Sequence, residues 1–355
     1  MGVLRLLLAL SVLIFHAGLL FKYNIANNQI AVLSFFIVSG FYMALILDKK
    51  YTGKKATFLF WSNRFLRIFP LYWLTLLIIF TFTLLKFILN IGSDDNAIVH
   101  YINWSPHTSP FTFGVNLINY IVRNLSLIVT LDYVRVNDST PGYLLVQQAW
   151  TLQIELLFYV LAPFFARLSK KHFIAVFLLY VIGFFGVIVP FHIMQPTLLY
   201  QFLSNLIFFL LGMMSYGFLY KRFQVKKPHP HITRSVFFFF LAYLLLYNIL
   251  PFKYSLPVLH TGDFFYFAVF IFSLPFIFLQ TSASVIDGLF GKLSYPVYIT
   301  HFFIIKLFSN IAIFKANSNT KTILIIVFTL IVSYLMVKII EAPIDKIRQS
   351  RVKNS

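Results

Sequence analysis

The stretch from Ile30 to Leu47, IAVLSFFIVSGFYMALIL, holds eighteen residues and no charge. A helix rises 1.5 Å per residue and the hydrocarbon core of a bilayer is about 30 Å thick. A run of this length, ended by Asp48, Lys49 and Lys50, therefore reads as a membrane crossing near 30–48. Nine further apolar runs repeat it, near 3–21, 67–90, 148–167, 172–190, 199–220, 234–250, 263–280, 293–314 and 321–340. Hydrophobic residues make up 60% of the 355 and charged residues only 11%, with a mean hydropathy of +0.84. A soluble domain carries about 25% charged residues, and a water-soluble globule of this size could not hide so much apolar surface. A soluble enzyme, a disordered chain and a nucleic-acid-binding domain are excluded. The expected fold is all-α: a polytopic membrane bundle of about ten helices.

Charge orients the bundle. The 29 Lys and Arg against 10 Asp and Glu give a formal net charge of +19. In so apolar a chain that excess marks cytosolic loops rather than nucleic-acid binding. With the N-terminus in the cytosol, the cytosolic pieces are the N-terminus, 49–67, 167–171, 221–234, 281–292 and 338–355, and they hold 21 of the 29 basic residues. Both termini then face the cytosol. An eleventh run, 114–131, carries Asn116, Asn119, Arg123 and Asn124 as a polar stripe. Counting it as a span would turn KRFQVKKPHPHITR (221–234) outward, so it reads as a re-entrant or interfacial helix within the outer loop 91–147. A loop that long is expected to work. The chain divides into a membrane domain, 1–340, and a basic cytosolic tail, 341–355. No small-x-small cleavage site follows the first run, so it is expected to stay as a helix.

Ionisable side chains at membrane depth cost at least about 2.5–3.5 kcal/mol each, which makes every one a functional candidate. Arg5 and His16 are eleven residues apart, which puts them on one helical face about 16 Å apart. His16 then lies roughly 20 Å in, and Glu155, about 10 Å from the opposite surface, reaches a similar depth. A His16–Glu155 pair would orient the imidazole and keep it basic. The plainer alternatives are a snorkelling Arg5, a packing His16 and an ion-paired Glu155. Ser39-Gly40 falls near mid-membrane, either as a close helix contact or as a narrow opening for a thin acyl carrier. Arg64 and Arg67, three apart, share a face and suit phosphate, though basic residues also collect there for topological reasons. His301 stands about 13 Å from the cytosolic face, as a pantetheine contact, a residue behind the site or a helix-packing hydrogen bond. Pro296 is expected in the first turn of its helix, where proline is tolerated.

There is no P-loop, no G-x-S-x-G, no H-E-x-x-H and no H-x-x-x-x-D, and no cysteine. Thiolate chemistry is excluded, and no metal site or resident cofactor is expected.

Six segments occur in a telling order: Arg5 and His16 spaced eleven apart, FFIVSGF (35–41), RFLRIFP (64–70), AWTLQIELLFY (149–159), SYPVYITH (294–301) and EAP (341–343). In these, over essentially its whole length, the chain resembles the integral-membrane acyltransferase-3 family. The resemblance implies a bundle of about ten helices in the bacterial inner membrane. It also implies transfer of an acyl group, usually acetyl, from cytosolic acyl-CoA to a hydroxyl of a surface or lipid-linked glycan such as lipopolysaccharide. By motif match His16 would be the catalytic histidine with Arg5 essential beside it, and Arg64 and Arg67 would hold the CoA phosphates. Glu155 is expected to orient His16, with Ser39 and His301 along the donor's arm. Acetyl-CoA is then a co-substrate, and membrane lipid and glycan are the partners, with a homo-oligomer or glycan-assembly proteins alongside. The competing class is a transporter or flippase for lipid-linked sugars. It would show mid-span Gly or Pro pairs and an inverted repeat, and neither is evident.

The topology has a direct test, because introduced cysteines have no native background. A cysteine replacing Asn137 should react with an impermeant thiol reagent in intact cells, and one replacing Ser350 should not. The reverse pattern overturns the orientation.

Overall fold

The computed structural model describes residues 1–89, 118, 120–127, 144–193, 198–249, 261–309 and 318–353. Each of the ten apolar runs falls on a helix. These are α1 (Gly2–Ala17), α2 (Asn28–Lys49), α3 (Ala56–Ile88), α4 (Trp150–Arg167) and α5 (Lys170–Gly183, continued by a π-helical Phe184–Ile188). Next come α6 (Leu198–Met214, continued through Ser215–Tyr220 to Lys221–Val225), α7 (Pro230–Leu246), α8 (Thr261–Thr281) and α9 (Val285–Ser309). The last is α10, Ser318–Met336, running through π-helical Val337–Glu341 into Ala342–Lys353.

Among the described residues, seven helices are long and apolar enough to cross a membrane: α2, α3, α4, α5, α6, α8 and α10. Leu77, Phe164, Leu179, Phe238 and Phe272 are exposed along the helix flanks, a surface that lipid rather than water would wet. The chain is an all-α, multi-pass membrane bundle. α1 stops short of its apolar run, because Gly18 adopts φ +100°, which breaks the helix. The interior is organised around α1, which packs against α9, α2 and α10, and around α2, which packs against α6.

The α2–α6 crossing explains Gly40. A Cβ there would lie 2.0 Å from the carbonyl oxygen of Phe209, and one on Gly212 would lie 2.0 Å from that of Ile37. Two glycines, one on each helix, let the backbones touch, as small residues do in membranes. Phe36, Phe158 and Phe209 stack beside the contact, with centroids 4.6 and 4.1 Å apart.

Two local expectations change. Pro296 is not in a first turn: α9 begins at Val285, two residues after the turn that closes α8, so the proline sits mid-helix. The helix starts before its apolar run because Asp287 has a partner there. The segment 341–355, expected as a tail, is helical to Lys353 and docks on α3. Arg351 donates to Ser62 Oγ at 3.0 Å and to Asn63 Oδ1 at 3.5 Å, and Arg348 is only 8% exposed. Of 114–131, residues 120–126 form helix against α3, with Tyr72 OH donating to the Asn124 carbonyl at 2.6 Å and Trp73 Nε1 to that of Leu125 at 2.8 Å. Asn116, Asn119 and most of the loop 91–147 lie outside the described residues.

Gly40→Ala or Gly212→Ala should destabilise the protein by about 1–3 kcal/mol through overpacking. Thermal unfolding in detergent reads this as a lowered midpoint. Gly183→Ala, whose Cβ would meet nothing within 4 Å, is the control and should leave the midpoint unchanged.

Candidate active site

A cavity of about 360 Å³ lies among α1, α2, α3, α4 and α9. Four basic side chains line it, Arg5, Arg64, Arg67 and Lys292, against two carboxylates, Glu155 and Asp287. Asp287 is already engaged: its oxygens accept from the backbone N–H groups of Gly2 at 2.7 Å and Val3 at 2.9 Å. A carboxylate from α9 thus caps the start of α1, and that cap fixes where Arg5, one turn further on, meets the cavity.

Arg64 and Arg67 come from consecutive turns of α3, as their spacing requires. Arg64 is 9% exposed and lies between two rings, its guanidinium carbon 5.7 Å from the centre of Phe60 and 5.8 Å from that of Tyr159. Such stacking holds a guanidinium without consuming its donors, and the buried Nε has no hydrogen-bond partner among the described residues. Arg67 lies within electrostatic reach of Glu341, on the π-helical turn of α10, and of Glu155. One carboxylate oxygen of Glu341 is likewise buried without a partner.

Glu155 accepts from Ser39 Oγ at 2.7 Å and from Tyr159 OH, four residues on along α4. The Ser39-Gly40 pair therefore divides its work. Gly40 makes the helix crossing, and Ser39 faces the cavity and holds Glu155.

The histidines stand apart from this. His16 ends α1 with its ring 4.5 Å from Phe302, 5.2 Å from Phe15 and 5.6 Å from His301, between centroids. His301 is fully buried, and its Nδ1 lies 2.6 Å from the Tyr298 carbonyl oxygen. Between the cavity and this pair stands Tyr298. It lines the cavity, its hydroxyl pairs with Thr151 Oγ1 at 3.0 Å, and its ring is 5.8 Å from His301.

Five of the seven residues singled out in the sequence, Arg5, Ser39, Arg64, Arg67 and Glu155, thus meet at one cavity. His301 does not line it. The expected His16–Glu155 pair is not present either: Glu155 is turned to Ser39 and Tyr159, and the titratable neighbour of His16 is His301. A depth reckoned from helical rise does not fix which neighbours a side chain meets. Tyr298, Tyr159, Lys292, Asp287 and Glu341 were not singled out. Tyr159 had a signal in its i+4 spacing from Glu155, and Glu341 in the EAP motif.

The arrangement suits a particular task. A cluster of guanidinium groups, Arg64 stacked between rings, is of the kind that favours phosphate, and a buried His301 beside a half-buried His16 is of the kind that serves proton transfer or nucleophilic attack. Among the described residues no group of three or more His, Cys, Asp or Glu is placed to hold a metal. Comparison with curated proteins and with solved structures gave no match. Comparison with protein families gave one: a family model described as an acyltransferase domain matches residues 1–338. That match spans every residue that lines the cavity, and the chain belongs to the acyltransferase-3 family of multi-pass membrane acyltransferases.

Proposed function

We propose that the protein moves an acetyl group from cytosolic acetyl-CoA to a hydroxyl of a surface or lipid-linked glycan across a bacterial inner membrane. The observation that carries the reading is the convergence of Arg5, Arg64 and Arg67 on one cavity that Tyr298 also lines, with His301 against the Tyr298 ring and His16 against His301.

In this reading the nucleotide's phosphates stay at the basic mouth. The uncharged arm enters the cavity, which at about 360 Å³ suits an arm rather than a whole nucleotide. Arg5 and His16 are about 16 Å apart by helical rise, and an extended pantetheine arm spans roughly 15–20 Å by bond count. The thioester thus reaches the level of His16 once Tyr298 lets it by. His16 takes the proton of the acceptor hydroxyl. The oxygen attacks the thioester carbonyl, the C–S bond breaks, and the thiolate receives the proton back. A carrier route is chemically equivalent in balance: a His16 nitrogen takes the acyl group from sulfur and passes it to the hydroxyl. Glu155, held by Ser39 and Tyr159, lies with Arg5, Arg64 and Arg67 around the donor's path rather than at the histidine.

Arg64→Ala and Arg67→Ala should each weaken CoA binding about ten- to a hundredfold, the size of one lost charge-assisted contact of roughly 1.5–3 kcal/mol. Arg64→Lys should recover little, since an ammonium lacks the planar fork that Phe60 and Tyr159 sandwich. Calorimetry on the purified protein reads both. Unchanged affinity in the double Ala variant would leave these arginines with a purely topological role.

His16→Gln keeps polarity but cannot take a proton. It should abolish release of free CoA in the presence of acceptor, and remove the acetyl mass from surface glycans in cells, while CoA affinity stays within about twofold. Near-normal glycan acetylation in that variant would overturn the assignment.

A further inference from the structure

His301 is wholly buried on α9, and the role expected for it along the donor's arm does not fit a side chain that misses the cavity. Its own hydrogen bonding points elsewhere. Nδ1 lies 2.6 Å from the carbonyl oxygen of Tyr298. A carbonyl only accepts, so Nδ1 carries the hydrogen and donates it. A neutral imidazole has one N–H, so Nε2 is left as a bare acceptor. That Nε2 is buried and has no hydrogen-bond partner among the described residues. An unused acceptor in such a place is costly, and a native fold keeps one for a reason.

Three rings lie against that of His301 among the described residues. Phe302 lies against both histidines, its ring 4.7 Å from His301 and 4.5 Å from His16, and the Tyr298 ring is 5.8 Å from His301. The third is His16, the one of the three with ring nitrogens, whose ring is 5.6 Å away and inclined by 31°. At that separation, ring nitrogens that face each other come within hydrogen-bond reach after a small side-chain rotation.

We propose that His301 is a positioning residue for His16: its Nε2 accepts an N–H from the His16 ring and so leaves the other His16 nitrogen bare toward the reacting groups. The proposal rests on the reading of His16 as base or carrier given above. A lone-pair nitrogen facing the acceptor is required in either role, and a histidine without a fixed partner divides between two tautomers. When His16 takes a proton or an acyl group it becomes positive, and a hydrogen bond to a buried neutral acceptor then strengthens. The contribution therefore belongs to turnover rather than to donor binding. The Nδ1–carbonyl bond, four atoms within one helical turn, orients His301 as His301 orients His16.

Two amide substitutions separate the nitrogens. His301→Asn puts an amide N–H near the Nδ1 position, keeping the bond to the Tyr298 carbonyl, and places nothing at Nε2. His301→Gln reaches the Nε2 position with a carbonyl oxygen that accepts. With purified protein and acetyl-CoA, His301→Asn should lower kcat at least tenfold with the KM for acetyl-CoA unchanged, and His301→Gln should regain a measurable part of it. Equal or better activity in His301→Asn, or a change confined to KM, overturns the proposal. His16→Gln in the same assay keeps the two readings apart. If it is active, the catalytic assignment of His16 fails first; if it is inactive while His301→Asn is fully active, only the role of His301 falls. Should neither His301 variant fold, nitrogen shifts of ¹⁵N-histidine-labelled wild-type protein decide. A Nδ1–H tautomer at His301 with a hydrogen-bonded Nε2 supports the proposal, and a Nε2–H tautomer ends it.

Discussion

A guanidinium inside a bilayer has nowhere cheap to go, and the rest of the structure answers to that constraint. Each insertion scale charges the helix that carries it, so the arginines of α1 and α3 gather where other helices bring acceptors, rings and internal space. Arg5 is positioned by a helix whose first turn is capped by Asp287 from α9, Arg64 lies flat between Phe60 and Tyr159, and Arg67 lies within reach of Glu341 and Glu155. The buried Nε of Arg64 has no hydrogen-bond partner among the described residues, and its side chain lines the cavity. Burial cost and anion affinity are here two views of one arrangement.

That clustering depends on helix contacts that themselves carry no charge. Gly40 and Gly212 bring α2 and α6 into backbone contact, which sets α2 so that Ser39, the next residue, turns toward Glu155 on α4. A one-residue step on a helix is a rotation of 100°. One face of α2 can therefore pack while the adjacent one serves the cavity, and neither task could move along the helix without displacing the other.

Much of this was legible in the sequence, and the reasons for the shortfall are specific. Apolar runs give helices because a bilayer leaves no other way to satisfy backbone groups, and each of the ten runs falls on a helix. Ends were less certain: α1 stops at Gly18 and α9 starts ahead of its apolar run, because caps and glycine conformations act over single residues while hydropathy averages over twenty. Residues 342–353 read as a charged tail because half of what holds them, Ser62 and Asn63 on α3, is nearly 290 positions away. At the site, residue spacing gave an expected depth for His16 and Glu155 but not the neighbours each would meet. Glu155 lies with Arg5 and Ser39 at the cavity, and His16 lies against His301 and Phe302. His301 was recognised as unusual without its partner being evident, since nothing in the sequence joins α1 to the middle of α9.

Tyr298 has a consequence for the cell's energy supply. Its ring lines the cavity and lies against His301, and its hydroxyl is tied to Thr151 on the facing helix. Water that follows a substrate into the basic mouth therefore meets an aromatic stopper before it meets the histidines. A bundle that opened a continuous wet path beside two imidazoles would conduct protons and discharge the gradient across its own membrane. Under the proposed reading, the acyl group passes by displacing that ring. A protein built this way hands a chemical group from one side to the other while remaining an electrical insulator.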